Sequence, residues 1–227
     1  QNECCQMNLR LYRYSVLESG TYSGNKRKSN AFIRKALPLN RRQSFIYGEL
    51  IMNYAEIKKT DIANGTGVRV SLFVSGCTHR CRGCFNEKTW DFNYGLPFTE
   101  DTCSEIIKAV EPVYISGLTL IGGEPLEVCN QRCLIDLLRK IKGLYPEKNI
   151  WCYSGYTFET DILNKKGKAH CEVTDEFISM IDVLVDGEFI LAKRNLCLKF
   201  RGSENQRIIL VKESLTRGKT VLSPLNK

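Results

Sequence analysis

Residues 70–90 read VSLFVSGCTHRCRGCFNEKTW. The first five, Val70 to Val74, form a short apolar run that reads as a buried strand. Ser75 and Gly76 follow, and then three cysteines, Cys77, Cys81 and Cys84, at C-x3-C-x2-C spacing. Three thiolates on one short loop can grip a soft metal centre from one side. Iron–sulfur clusters are normally held by four thiolates, so a set of three leaves one iron of a 4Fe-4S cluster open to a further ligand. Other readings compete. Cysteines are often buried simply as small hydrophobes, although three crowded onto one polar loop fit that poorly. A structural zinc site wants four ligands, and His79 or a distant cysteine would have to complete it. A disulfide framework sits badly with an odd count of 11 cysteines, since partners for this loop would have to come from elsewhere.

Outward from the loop, strands and helices alternate. Upstream, Asn64-Gly65-Thr66-Gly67 is a turn. Downstream, Thr99 is placed to cap a helix that opens with Glu100 and Asp101 and repeats Cys103, Ile106, Ile107 and Val110 at helical spacing. Leu118–Ile121 is the next strand and runs into Gly122-Gly123-Glu124-Pro125. A second helix carries Leu134, Leu137, Leu138 and Ile141 on one face, with Arg139, Lys140 and Lys142 near its end and Gly143 read as its stop. Ile150–Tyr153 is a third strand, leading into Ser154-Gly155-Tyr156. Helical turns are expected near Thr157–Leu163 and Thr174–Met180. Val183–Val185 is a fourth strand, ending in Asp186-Gly187, and Ile208–Val211 a fifth. From Lys212 the chain is polar and reads as a fraying tail. This order implies an α/β fold, a mostly parallel sheet covered by helices with right-handed connections. Each distinctive motif follows a strand, and in parallel α/β folds sites assemble at the carboxyl ends of strands. The four motifs should therefore converge on one rim.

Composition narrows the class. The chain has 227 residues, 43% hydrophobic and 26% charged, ordinary for a soluble domain with an extension. No stretch approaches the ~20 apolar residues that span a bilayer, and no secretory leader is evident, so neither membrane nor export is expected. Clustered thiols suit the reducing cytoplasm. Of the net charge of +8, residues 1–51 carry +6, from nine Lys or Arg against three acids, and residues 52–227 only +2. The latter part shows no basic stripe of the kind that binds nucleic acid. Residues 1–51 begin at Gln1, include adjacent Cys4 and Cys5, and sustain neither helical nor strand period. They read as a non-domain extension, either a disordered partner-binding tail or upstream sequence translated in frame ahead of a natural start at Met52. Residues 52–211 read as the domain and 212–227 as the tail.

The cysteine spacing resembles the cluster motif of radical S-adenosylmethionine (SAM) enzymes. The fuller string GCTHRCRGCFNEKTWDF resembles one family among them, the anaerobic ribonucleoside-triphosphate reductase activating proteins. MNYAEI, DIANGTGVR, IGGEPL, IWCYSGY, VLVDGEF and RGSENQR, between Met52 and Val211, follow in that family's order. The resemblance implies a partial open (β/α) barrel. It implies a 4Fe-4S cluster on Cys77, Cys81 and Cys84, with the SAM amino and carboxylate groups on the open iron. Reductive cleavage would give methionine and a 5′-deoxyadenosyl radical, which generates a glycyl radical on the catalytic subunit of the reductase. A low-potential donor such as flavodoxin would supply the electron. Gly122, Gly123 and Glu124 match the family's Gly-rich SAM motif, with Glu124 placed to accept from the SAM ammonium. Many radical SAM enzymes carry an aromatic residue just before the last cysteine. Here that position is Gly83 and Phe85 follows Cys84, so adenine contacts are expected from Gly83 and Phe85. Ser154 and Asp186 share the rim and are candidates for the SAM ribose or carboxylate, or are turn residues. His79 reads as loop scaffolding. Asn86 and Trp90 could be structural or functional. Cys103, Cys133 and Cys152 fall at core positions, and Cys129, Cys171 and Cys197 receive no role. The alternatives are an activase of another glycyl-radical enzyme, a free-standing radical SAM enzyme or, in a different class, a zinc-binding interaction module.

Overall fold

The computed structural model describes residues 52–226. The reading of residues 1–51 as an extension lies outside them. Seven strands form one sheet: β1 Asn53–Asp61, β2 Val68–Val74, β3 Leu96–Pro97, β4 Ile115–Gly122, β5 Asn149–Tyr153, β6 Val183–Asp186 and β7 Arg207–Leu210. Their order across the sheet is β3-β1-β2-β4-β5-β6-β7. The two outer strands do not pair with each other, so the sheet is open. The apolar runs became the centre of this sheet. β2, β4, β5 and β6 pair in parallel, which requires the crossover connections that helices supply.

The expectation of a mostly parallel sheet is corrected at both flanks. β1 pairs antiparallel with β2 and β3, and β7 antiparallel with β6. The cause at β1 is the turn over residues 62–67, too short for a crossover. Gly65 and Gly67 take left-handed φ values of 129° and 76° there, which glycine adopts at little cost. At β7 the preceding chain contains no full crossover helix, so the strand folds back alongside β6.

Helices α1 Glu100–Val110, α2 Val128–Leu144, α3 Thr174–Met180 and α4 Val211–Arg217 all contribute to one core. Thr99 caps α1 as expected, in a reciprocal box with Thr102. Val70, Leu72 and Val74 of β2 and Leu118 and Leu120 of β4 pack there against Ile106, Val110, Leu134, Leu138 and Phe177. Cys103 and Cys152 are buried in it, and Cys133 packs against it half-buried. The alternate residues of the strands face the other way, where Trp151, Val185 and Ile208 form a small second cluster. Arg69 is fully buried, its guanidinium donating to Thr119 Oγ1 at 2.7 Å, Asn149 Oδ1 at 2.6 Å and the Leu118 carbonyl at 2.7 Å.

Two boundaries differ from expectation. Gly143 does not stop α2, which continues to Leu144 with Tyr145 as its C-cap. Pro146 is the better terminator, because it disfavours helical backbone at the residue before it. The segment beyond Lys212 is not a fraying tail. It forms most of α4, which ends at Gly218 in left-handed conformation, and then returns so that Leu222 bridges to Ile209.

The parallel register decides where the motifs go. Val74 stands opposite Gly122, and Tyr153 opposite Val185. The cysteine loop, the Gly122–Pro125 turn, Ser154-Gly155-Tyr156 and Asp186-Gly187 therefore leave the sheet along the same edge.

Candidate functional site

The cysteine loop is closed at its base. Gly76 N donates to the Thr89 carbonyl at 2.8 Å and Cys77 N to the Trp90 carbonyl at 3.2 Å. Within it, Cys84 N donates to the Cys81 carbonyl at 3.0 Å, and left-handed Arg80 (φ 50°) and Gly83 (φ 75°) turn the chain. None of the three cysteines is in a disulfide, and all are half-buried. The Asn86 N–H donates to Cys84 Sγ at 3.4 Å, and the backbone of His79 and Arg80 favours the charged form of Cys77, as that of Phe189 does for Cys81. Such donors favour thiolate and adjust the potential of an iron–sulfur centre. Burial, reinforced by the Glu124 carboxylate, pushes the Cys77 thiol up to about 12. A thiolate there needs a compensating positive centre. The donor set therefore fits a cluster ligand loop.

The rim glycines seat this loop. Gly123 N donates to the Val74 carbonyl at 2.7 Å, and Glu124 N to the Gly76 carbonyl at 2.8 Å. A Cβ on Gly123 would lie 2.5 Å from the Gly76 oxygen and 2.9 Å from the Thr89 oxygen. One on Gly155 would lie 2.6 Å from the His79 ring. Gly122, at φ 109°, lies against the end of β2, where a Cβ would stand 2.7 Å from the Val74 oxygen. The resemblance assigns Gly122 and Gly123 to a SAM-binding motif; in the structure the close approach at Gly123 is made by the cysteine loop itself.

Glu124 is 1% exposed and ties three motifs together. Oε1 accepts from Leu126 N at 2.8 Å, Oε2 accepts from Gly155 N at 2.7 Å, and His79 Nε2 stands 3.2 Å from Oε2. That last contact is an ion pair and not a hydrogen bond. His79 Nδ1 lies 2.9 Å from Glu188 Oε1, and its ring packs edge-on against Tyr156 at 4.4 Å. Burial opposes the charge, but the two carboxylates raise His79 to about 9. The loop-scaffold role expected of His79 is what these contacts describe.

Beside the loop lies a cavity of about 480 Å³, lined by His79, Gly155, Tyr156, Asp186, Glu188 and Arg207 among others.

The family described as the 4Fe-4S single cluster domain matches residues 63–209. The anaerobic ribonucleoside-triphosphate reductase-activating protein of Pasteurella multocida strain Pm70 is 41% identical over 162 residues, 69% of this chain and 96% of the relative. The protein of that name from Enterobacteria phage T4 is 41% identical over 159 residues, 69% and 93% of the two chains. That from Escherichia coli K12 is 40% identical over 157 residues, 68% and 96%.

This chain belongs to the anaerobic ribonucleoside-triphosphate reductase-activating protein family. Membership makes the centre an iron–sulfur one and sets the zinc module aside. Among the described residues, no three His, Cys, Asp or Glu side chains converge as a single-ion site.

The other residues singled out in the sequence are placed as follows. Asp186 is buried and lines the cavity. It accepts from Phe158 N at 2.9 Å and Arg207 Nε at 2.9 Å. Ser154 stands at the rim outside the cavity lining, with Oγ accepting from Tyr156 N at 3.0 Å, the geometry of a turn residue. Phe85 is 100% exposed. Gly83 faces Leu191, 3.0 Å from a Cβ position. Three residues of the site, Asn130, Glu127 and Thr78, do not stand out in the sequence. Asn130 Nδ2 donates to the carbonyls of Ser75 at 3.0 Å and Glu124 at 2.9 Å. Glu127 accepts from Thr78 N and Oγ1. Asn130 carries a usable signal, a polar residue one turn before Leu134 on the apolar stripe of α2. Among the described residues, no helix is long and apolar enough to cross a membrane.

Proposed function

We propose that this chain generates a glycyl radical on the catalytic subunit of an anaerobic ribonucleoside-triphosphate reductase. The observation that carries this reading is a three-cysteine loop seated on the rim of an open α/β sheet, beside a polar cavity, in a chain 38–41% identical to proteins named for activating that reductase. In this reading the domain begins at residue 52 and, with α4 in its core, runs past the expected boundary at 211, residues 1–51 are an extension, and the sheet is a partial barrel of the radical SAM type.

Cys77, Cys81 and Cys84 would hold a 4Fe-4S cluster as thiolates, and the amino and carboxylate groups of SAM would bind the iron they leave open. When bound and reduced by a low-potential carrier such as flavodoxin, the cluster supplies the electron that cleaves the sulfonium C–S bond to methionine and a 5′-deoxyadenosyl radical. The protein's own residues position and enclose. Gly122 and Gly123 keep the rim thin enough for the loop to lie on it. Glu124, its carboxylate already met by Leu126, Gly155 and His79, holds the loop and the β5 rim in fixed relation around SAM. Asp186, oriented by Arg207, faces the cavity where the ribose of SAM would lie. Gly83 and Phe85 would contribute adenine contacts, and Ser154 shapes the turn at Tyr156. A reducing cytoplasm suits the thiolate ligands.

The test is anaerobic reconstitution of the full chain with iron and sulfide. A brown protein with broad visible absorption that cleaves SAM to 5′-deoxyadenosine under reduction is expected. A colourless protein that takes up zinc and leaves SAM intact would overturn the reading.

A further inference from the structure

Glu127 is the N-cap of α2, where a short polar side chain ordinarily bonds the first free N–H groups of the helix. Its side chain makes no such bond. It turns toward the cysteine loop instead, where Oε1 accepts from the Thr78 N–H at 2.8 Å and from the Thr78 hydroxyl at 2.6 Å. Thr78 directly follows Cys77. Its hydroxyl hydrogen is committed to Glu127, so the Tyr156 hydroxyl, 3.4 Å away, is the donor in their contact. Burial, with the Glu124 carboxylate nearby, pushes the Glu127 carboxyl up, and the two Thr78 donors on one oxygen act against this, in favour of the ionised form. Glu127 is 8% exposed. The charged groups that face it are Glu124 and His79, and His79 is already shared between Glu124 and Glu188.

We propose that Glu127 is a positioning residue for the cluster, pinning the loop next to Cys77 and fixing a buried negative charge beside the centre that disfavours its reduction. This rests on the reading of the cysteine loop as the cluster site. A fixed anion in a partly desolvated site acts more strongly than one in water, and reduction adds negative charge to the cluster. Glu127 therefore lowers the potential of the centre and raises the driving force of the electron it delivers. Pinning and charge are separable, because Gln keeps an acceptor for both Thr78 donors and loses only the charge.

The experiment uses the full chain, reconstituted anaerobically, without SAM. Iron content, midpoint potential from a redox titration followed by electron paramagnetic resonance, and the rate of iron extraction by a chelator are measured for wild type, Glu127→Gln and Thr78→Val. Glu127→Gln is expected to load iron fully and to shift the midpoint positive, with roughly tenfold more reduced cluster at a given ambient potential, or about 59 mV for one electron. Thr78→Val keeps the charge but loses one donor. It is expected to release iron several-fold faster with little change of midpoint. An unchanged midpoint in fully loaded Glu127→Gln would overturn the electrostatic role, and unchanged extraction from Thr78→Val would overturn the pinning. Should Glu127→Gln fail to load, Thr78→Val still decides the pinning, and a midpoint shift in Thr78→Val as large as that expected for charge removal would count against the electrostatic role. A wild-type chain that forms no cluster would sink the site reading itself, a result distinct from either.

Discussion

Gly123 has no room for a side chain, and what fills the space is the Gly76 and Thr89 backbone. Gly123→Ala should therefore push the cysteine loop off the rim at a cost of about 1–3 kcal/mol. Iron loading and SAM affinity should fall together, measured as iron per chain and by calorimetry. Full loading with only SAM binding impaired would return the glycine to a direct ligand-facing role. Gly143 is the contrasting case, since it lies within α2 with nothing within 4 Å of a Cβ. Gly143→Ala should stabilise the fold by roughly 0.5–1 kcal/mol and leave the centre alone, seen as a raised Tm with unchanged visible absorption. Cys77→Ala, Cys81→Ala and Cys84→Ala should each abolish the cluster, whereas Cys103→Ala, on the buried face of α1, should keep it. Iron content and absorbance after reconstitution distinguish the two groups.

At the scale of elements, the far end of the rim is held by charge. Arg207 of β7 reaches both Asp186 of β6 and Glu159 of the helical turn Phe158–Leu163. Its bidentate contact, joined by the Thr220 hydroxyl, holds the Glu159 carboxyl down at about 2 against an ordinary 4.5. A depressed carboxyl stabilises the fold above its unfolded value, and that contribution is lost as pH falls through the folded one. Urea unfolding followed at a series of pH values should therefore show stability falling between about 4.5 and about 2, a component that Glu159→Gln removes. The pair is half exposed, so its worth at neutral pH is about 1 kcal/mol or less. A Glu159→Gln protein with an unaltered acid limb would show that the contact is not maintained in solution. Which elements could be read in advance follows from how each is buried. β2, β4, β5 and β6 stand out because their centres are continuous apolar runs in the middle of the sheet. β1 does not, because most of its side chains stay half-buried or exposed at the flank. α4 is too short and too exposed to impose a period. The cysteine loop is legible from spacing, since three thiols must lie close in sequence to share one loop, but the cluster reading needs the wider resemblance, because the spacing also admits a zinc site. The brace of the loop is not legible, because Thr78 and Glu127 are common residue types brought together only by the register of β2 on β4.

Across residues 52–226 as a whole, the decisive feature is asymmetry. Four helices feed the core on one face of the sheet, the outer strands β3 and β7 remain unjoined, and the rim carries the cysteine loop beside a polar cavity. A full (β/α)8 barrel typically takes ~250 residues, and residues 52–226 build an open sheet instead. A carbon radical formed at such a rim needs a cover that excludes water and thiols. In the proposed function the partner subunit is that cover, and its glycine is the hydrogen donor. The direct measurement is electron paramagnetic resonance of the reconstituted chain mixed anaerobically with the reductase catalytic subunit, SAM and a one-electron reductant. A glycine-centred radical on the larger subunit, formed in step with 5′-deoxyadenosine and missing when the target glycine is replaced by alanine, is the expected result. Efficient SAM turnover on a free small molecule with no partner present, and no radical on the reductase when it is supplied, would contradict it.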